Sequence, residues 1–173
     1  MPRSMRTLYL LRHAKSSWSD PALPDDERPL APRGRRDAER IATHLRELGI
    51  APELVLCSPT ERTRQTLELV RPALAASTTV RLEPGLYPGW PDELLEQLHA
   101  VPDPVASVML IGHNPGLQEL ALSLVTRGAD LQRLRAKFPT AALATLTIAQ
   151  ATWAELSRND AVLTAFVVPR QLS

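Results

Sequence analysis

Apolar positions along the chain fall into short continuous runs separated by longer stretches with helical spacing. The runs at about 7–12, 53–57, 78–82, 105–112, 142–149 and 161–168 read as strands, several of them too continuous to leave one face in water. Residues 34–48 place Ala38, Ile41, Ala42, Leu45 and Leu48 on one helical face, and Gly49 supplies the stop. Ser58-Pro59-Thr60-Glu61 has the form of a capping box with proline at the first helical position, so a second helix is expected from there to about Leu69. Two more helices are expected over 91–100 and 115–126, the latter opening at Asn114-Pro115 and closing before Gly128. Strands alternating with such helices imply βαβ units, hence an α/β fold: a three-layer α/β/α sandwich around a mostly parallel central sheet. Residues 20–33, rich in proline and aspartate, form a long irregular loop of the kind that often serves function.

Two of the four histidines close strand-like runs: His13 after Leu8-Tyr9-Leu10-Leu11-Arg12, and His113 after Val108-Met109-Leu110-Ile111-Gly112. His44 and His99 instead sit among charged residues in helix-like stretches. Open α/β sheets bind ligands beyond the carboxyl ends of their strands, so Arg12-His13, the segment Ser58 to Arg62 and His113 are expected to meet at one site. Arg62 and His113 both fall near helix starts, where free N–H groups and the helix dipole favour an anion. Arginine adds a planar donor fork that fits phosphate oxygens. A neutral imidazole can attack phosphorus, while arginines and a second histidine carry the charge that develops on the transferring group.

Composition narrows the setting. A chain of 173 residues, 44% hydrophobic, suits a single domain over 1–173. A formal charge of +1 argues against a protein built to coat nucleic acid, and Trp18, Trp90 and Trp153 are too dispersed for a base-stacking platform. The lone Cys57, inside Leu54-Val55-Leu56-Cys57, excludes an internal disulfide and reads as a packed core residue in a reducing compartment. The apolar stretch after Arg3 and Arg6 is too short for a signal sequence, and no segment approaches membrane-spanning length. A cytoplasmic protein is expected, with monomer the default state and neither membrane nor nucleic acid as partner. No H-x-x-x-H or C-x-x-C pair is present, and two arginines beside the histidines would repel a cation, so no metal or other cofactor is expected.

At these residues the chain resembles a known family. Leu11-Arg12-His13-Ala14 is similar to the Arg-His-Gly signature of the histidine phosphatase superfamily, which includes the phosphoglycerate mutases. Cys57-Ser58-Pro59-Thr60-Glu61-Arg62-Thr63-Arg64-Gln65-Thr66 resembles its second arginine motif, and Ile111-Gly112-His113-Asn114 its second histidine motif. Arg28-Pro29-Leu30 and the ending Phe166-Val167-Val168-Pro169-Arg170 narrow the likeness to SixA-type phosphohistidine phosphatases. The resemblance spans nearly the whole chain and implies a phosphoglycerate mutase-like fold. It implies His13 as the nucleophile, Arg12 and Arg62 as phosphate ligands, and His113 as the group that completes the pocket. Arg62 is preferred over Arg64 because it lies in the first helical turn. Ala14 replaces the usual glycine, so the turn there is expected to use an ordinary backbone conformation.

The mutase branch protonates its leaving oxygen with a glutamate from a segment resembling Leu82-Glu83-Pro84-Gly85-Leu86-Tyr87. That glutamate's place falls on Pro84, leaving Glu83 as the nearest candidate acid. Around the same pocket, Asp25, Asp26 and Glu27 with Arg28 could form a rim, and Lys15, Ser16 or Ser17 could reach a phosphate. An imidazole leaving group, with a conjugate-acid pKa of about 6.5, needs less help than a sugar alkoxide. The connection from Leu82 to the helix near Asp92 is too short for a covering cap, which suits a side chain presented by another protein. The expected function is therefore hydrolysis of phosphoryl groups, foremost protein phosphohistidine, through a phosphohistidine enzyme intermediate. A phosphatase of small phosphate esters and a catalytically weak phosphate-recognition module remain as alternatives.

Overall fold

A computed structural model describes residues 5–172, so Arg3 lies outside the described residues. Seven strands form one sheet in the order β3-β2-β4-β1-β6-β7-β5. They are β1 (Arg6–Arg12), β2 (Leu54–Cys57), β3 (Thr79–Leu82), β4 (Ser107–Gly112), β5 (Val125–Arg127), β6 (Leu143–Ile148) and β7 (Ala161–Val167). Only β6 runs against its neighbours, pairing antiparallel with β1 and β7, while the other pairs are parallel. Among the described residues five α-helices accompany them: α1 (Pro32–Leu48), α2 (Glu61–Val70), α3 (Pro91–His99), α4 (Gly116–Leu124) and α5 (Leu131–Ala136).

Strand alternation sorts the apolar residues into two cores. Leu8, Leu10, Leu54, Leu56, Val108 and Leu110 face the layer of α3 and α4. Leu11, Val55, Cys57, Met109 and Ile111 face Ile41 and Leu45 of α1 and Leu67 of α2. Runs of apolar residues without a polar face are therefore what the central strands require, and the three-layer sandwich follows. Cys57 is fully buried, and burial pushes its thiol up to about 12, as a packed residue should behave. No helix among the described residues is long and apolar enough to cross a membrane.

Three local expectations are corrected. The second helix starts at Glu61, with Thr60 at the N-cap and no side-chain cap, so Ser58 and Pro59 precede the helix. The fourth helix stops at Leu124, because Val125 and the β-branched Thr126 turn into a strand beside β7. The short helix α5 was not anticipated; its buried anchors are Leu131 and Leu134, too few to display a period. By contrast α1 ends as expected, with Gly49 in the left-handed conformation at φ 64°.

Candidate active site

Strand order places the site. β2, β4 and β1 are adjacent, and their carboxyl ends are in register, with Arg12 opposite Gly112 and Cys57 opposite Ile111. The backbone continues this pairing one residue further: the His13 N–H donates to the Gly112 carbonyl and the Ser58 N–H to that of Ile111, each at 3.0 Å. His13, Ser58 and His113 therefore stand side by side at one end of the sheet. The imidazoles of His13 and His113 lie 5.2 Å apart between centroids, inclined at 54°.

Close packing holds the segment after β1. A Cβ on Gly34 would stand 2.1 Å from the Lys15 carbonyl oxygen, so only glycine lets α1 approach there. The Ala14 N–H donates to Thr66 Oγ1 at 3.0 Å, and that hydroxyl donates to the Arg62 carbonyl at 2.8 Å, tying the loop to α2. Ala14 is not among the residues with positive φ, so alanine meets no penalty.

The cavity at this end has a volume of about 480 Å³, and Arg12, His13, Arg28, Arg62, Tyr87 and His113 are among its lining residues. His13 Nδ1 lies 2.7 Å from the Ala14 carbonyl oxygen, which can only accept, so Nδ1 carries the proton and Nε2 keeps its lone pair. Burial is the main cause that pushes the His13 pKa down to about 3. The charges of His113, Arg62 and Arg12 act in the same direction, and the Ala14 contact acts against them. His113 is pushed down to about 4, again chiefly by burial and then by Arg62. Both rings are neutral near pH 7. His113 Nε2 lies 2.8 Å from Ser58 Oγ, while its Nδ1 is buried without a partner.

The arginines are oriented by carbonyls and by one carboxylate. Arg12 Nη1 donates to the Phe138 carbonyl at 2.9 Å, and the same oxygen accepts from Asn114 Nδ2. Arg62 donates through Nη1 to the Asp25 carbonyl at 2.6 Å and through Nη2 to Asp25 Oδ2 at 3.0 Å. The Tyr87 hydroxyl donates to the same Oδ2 at 2.7 Å. Asp25 consequently has its pKa lowered, first by Tyr87 and then by Arg62, with its own partial burial opposing. Arg28 is buried, and its guanidinium carbon sits 3.3 Å from the centroid of the Trp18 ring. The Nε groups of Arg12 and Arg62 and Nη1 of Arg28 are buried without a hydrogen-bond partner, while Arg28 Nε lies 3.4 Å from Asp25 Oδ1. Two buried arginines and the partly buried Arg12, each with a buried donor free of hydrogen bonds, stand beside two neutral histidines and make a receptor for a multiply charged anion.

Of the residues singled out from sequence, the fold brings Arg12, His13, Arg62 and His113 together. Arg64 stays outside, half-exposed and paired with Glu61. Lys15, Ser16 and Asp25 also line the cavity, and Trp18 forms its rim. Glu83 does not line it: its carboxylate lies 3.5 Å from Arg81 Nε, so the candidate acid is turned toward a neighbouring strand residue. Two residues were not given their part in the site from sequence. Ser58 fitted a capping pattern that hid its contact with His113, and Tyr87 served only as a register mark although its ring packs 5.4 Å from that of His113.

A cavity at the carboxyl ends of adjacent parallel strands, walled by arginines and neutral histidines, defines an α/β protein of phosphoryl transfer. Residues 8–87 match the model of the histidine phosphatase superfamily, branch 1. The chain belongs to that superfamily. It is 37% identical over 164 residues to an uncharacterised protein of Mycobacterium tuberculosis, covering 92% of this chain and all of that one. A solved structure described as phosphohistidine phosphatase SixA of Nakamurella multipartitia aligns with a TM-score of 0.83 at 34% identity, over 98% of this chain and 99% of the other. The protein histidine phosphatase SixA solved with tungstate aligns with a TM-score of 0.76 at 26% identity, over 96% and 99% of the two chains. The phosphoglycerate mutase-like fold and the SixA-type assignment stand on these matches.

Proposed function

We propose that this histidine phosphatase removes the phosphoryl group from phosphohistidine on another protein, with His13 as the transient carrier. The observation that carries the reading is the pair of neutral, buried histidines within a ring of arginines. With Nδ1–H held by Ala14, the Nε2 lone pair of His13 attacks phosphorus; the new N–P bond forms as the substrate's N–P bond breaks. Arg12 and Arg62 bind the equatorial oxygens. If Ser58 donates to His113 Nε2, the His113 proton rests on Nδ1, where it can bond a phosphoryl oxygen. Water then attacks phospho-His13, releasing inorganic phosphate and the free imidazole. The cycle uses no metal or cofactor and one copy of the chain.

Substrate choice follows from proton supply. Asp25 is the sole carboxylate among the described residues lining the cavity, and Tyr87 and Arg62 favour its ionised form. A site whose carboxylate is kept charged is a poor proton donor, which favours a leaving group that departs as imidazole over an alkoxide. The tungstate-bound relative supports a pocket for a tetrahedral oxyanion.

Rapid acid-free trapping after incubation with a histidine-phosphorylated protein should find phosphate on His13. His13→Ala should lose turnover by about 10⁴-fold or more. An unlabelled His13, or turnover that survives His13→Ala, would overturn the mechanism. Hydrolysis of a sugar phosphate without hydrolysis of phosphohistidine would overturn the substrate.

A further inference from the structure

A second cavity, of about 450 Å³, lies between α1, the segment before β6 and the turn after β7. Its lining carries Arg33, Arg36, Arg40, Lys137 and Arg170 against a single carboxylate, Asp37, a net charge of +4 on a chain whose total is +1. Asp37 is buried and already engaged, 3.1 Å from Arg40 and 3.7 Å from Arg33. The side chains of Arg36, Lys137 and Arg170 make no hydrogen bond or ion pair among the described residues. Uncompensated like charges repel one another, and an opposing acidic surface would relieve that repulsion.

The groove lies beside the catalytic cavity. Thr140 lines both this groove and the catalytic cavity, so the two adjoin at that residue. A protein that inserts a phosphorylated side chain into the cavity must lay its neighbouring surface over the groove. A small free anion fits less well, because small-molecule sites enclose most of their ligand. Here the Arg33 and Arg40 side chains are 67% and 45% exposed and stand out into solvent. We propose that the groove is the docking surface for carboxylates flanking the phosphorylated histidine of the substrate protein. The inference rests on the phosphohistidine reading above and extends it to what surrounds that histidine.

The test compares two substrates on three enzymes. The substrates are an acidic phosphotransfer domain phosphorylated on histidine with phosphoramidate, and p-nitrophenyl phosphate. The enzymes are the wild type, Arg36→Glu/Arg170→Glu, and Arg36→Lys/Arg170→Lys. Charge reversal should lower kcat/KM on the phosphoprotein by about tenfold or more and flatten its dependence on salt, mainly through KM. Turnover of the ester should stay within about twofold in the same variant, which also shows that it folds. The lysine variant should retain most of the phosphoprotein rate.

Unchanged phosphoprotein kinetics in the reversed variant, or equal losses on both substrates, would overturn the docking surface alone. Absence of phosphoprotein turnover by the wild type would overturn the functional reading first and this one with it. Calorimetric binding of tripolyphosphate that disappears in the reversed variant, with phosphoprotein turnover unaffected, would mark a small-anion site and overturn docking.

Discussion

The catalytic cavity and the groove beside it both gather positive charge, yet they do so in opposite ways. In the cavity the Arg62 and Arg28 side chains are 7% and 8% exposed, and their orientation is set by Asp25 and Trp18. In the groove the cations project from the outer turns of α1 and from chain segments at the surface, where water and salt screen them. A buried arginine with a spare donor gives strong, geometrically defined binding to an oxyanion, because no solvent shell must be stripped from it on arrival. An exposed arginine gives long-range attraction with little geometric demand. Nearly equal charge thus serves two purposes, and burial decides which.

The sharpest way to break this contrast is to remove a buried cation. Arg62→Ala should lower kcat/KM by about 10²–10³-fold for every substrate, protein or small ester, measured in steady state. A loss confined to the phosphoprotein would mean that Arg62 behaves like a groove residue.

Burial also fixes the pH response. The folded pKa values of His13 and His113, about 3 and about 4, lie below the unfolded value of about 6.5. The unfolded chain therefore binds protons that the folded chain refuses. The stability contributed by the neutral rings is complete above pH 6.5 and declines as pH falls from there toward 4 and 3. At pH 5 each histidine should cost about 2 kcal/mol, read as a lower midpoint in urea relative to pH 7. His113→Gln should remove its share, and an unchanged pH dependence in that variant would show the ring to be solvated.

A smaller effect is expected at Ser58. Ser58→Ala leaves His113 without its partner at Nε2, and should reduce turnover by about tenfold while KM changes little. Retained activity would show that packing alone orients His113.

Much of this arrangement was legible in the chain because strand ends and chemistry coincide. His13 and His113 each follow an unbroken apolar run, and a parallel sheet brings such ends to one side whatever the loops do. Arg12 and Arg62 were accessible for the same reason, being adjacent in sequence to a strand end or to the helix start that follows one. What escaped notice are contacts remote in sequence. Asp25 reaches Arg62 from the middle of an irregular loop, and Tyr87 reaches Asp25 from the connection after β3. No periodicity marks such encounters. Ser58 failed differently: its local pattern satisfied a capping rule, and only the tertiary contact with His113 outbid it. Glu83 failed through direction, since one residue of register turns a side chain to the other side of an extended segment.

The Asp25 carboxylate seated on Arg62 has a consequence for the end of the catalytic cycle. Inorganic phosphate left in the cavity shares Arg62 with a group of its own sign, held in place by Tyr87. Like charge on the same guanidinium disfavours a retained phosphate. The protein carries within its own loop a fixed negative neighbour of that guanidinium, so the cavity resists becoming a trap for the anion it would generate.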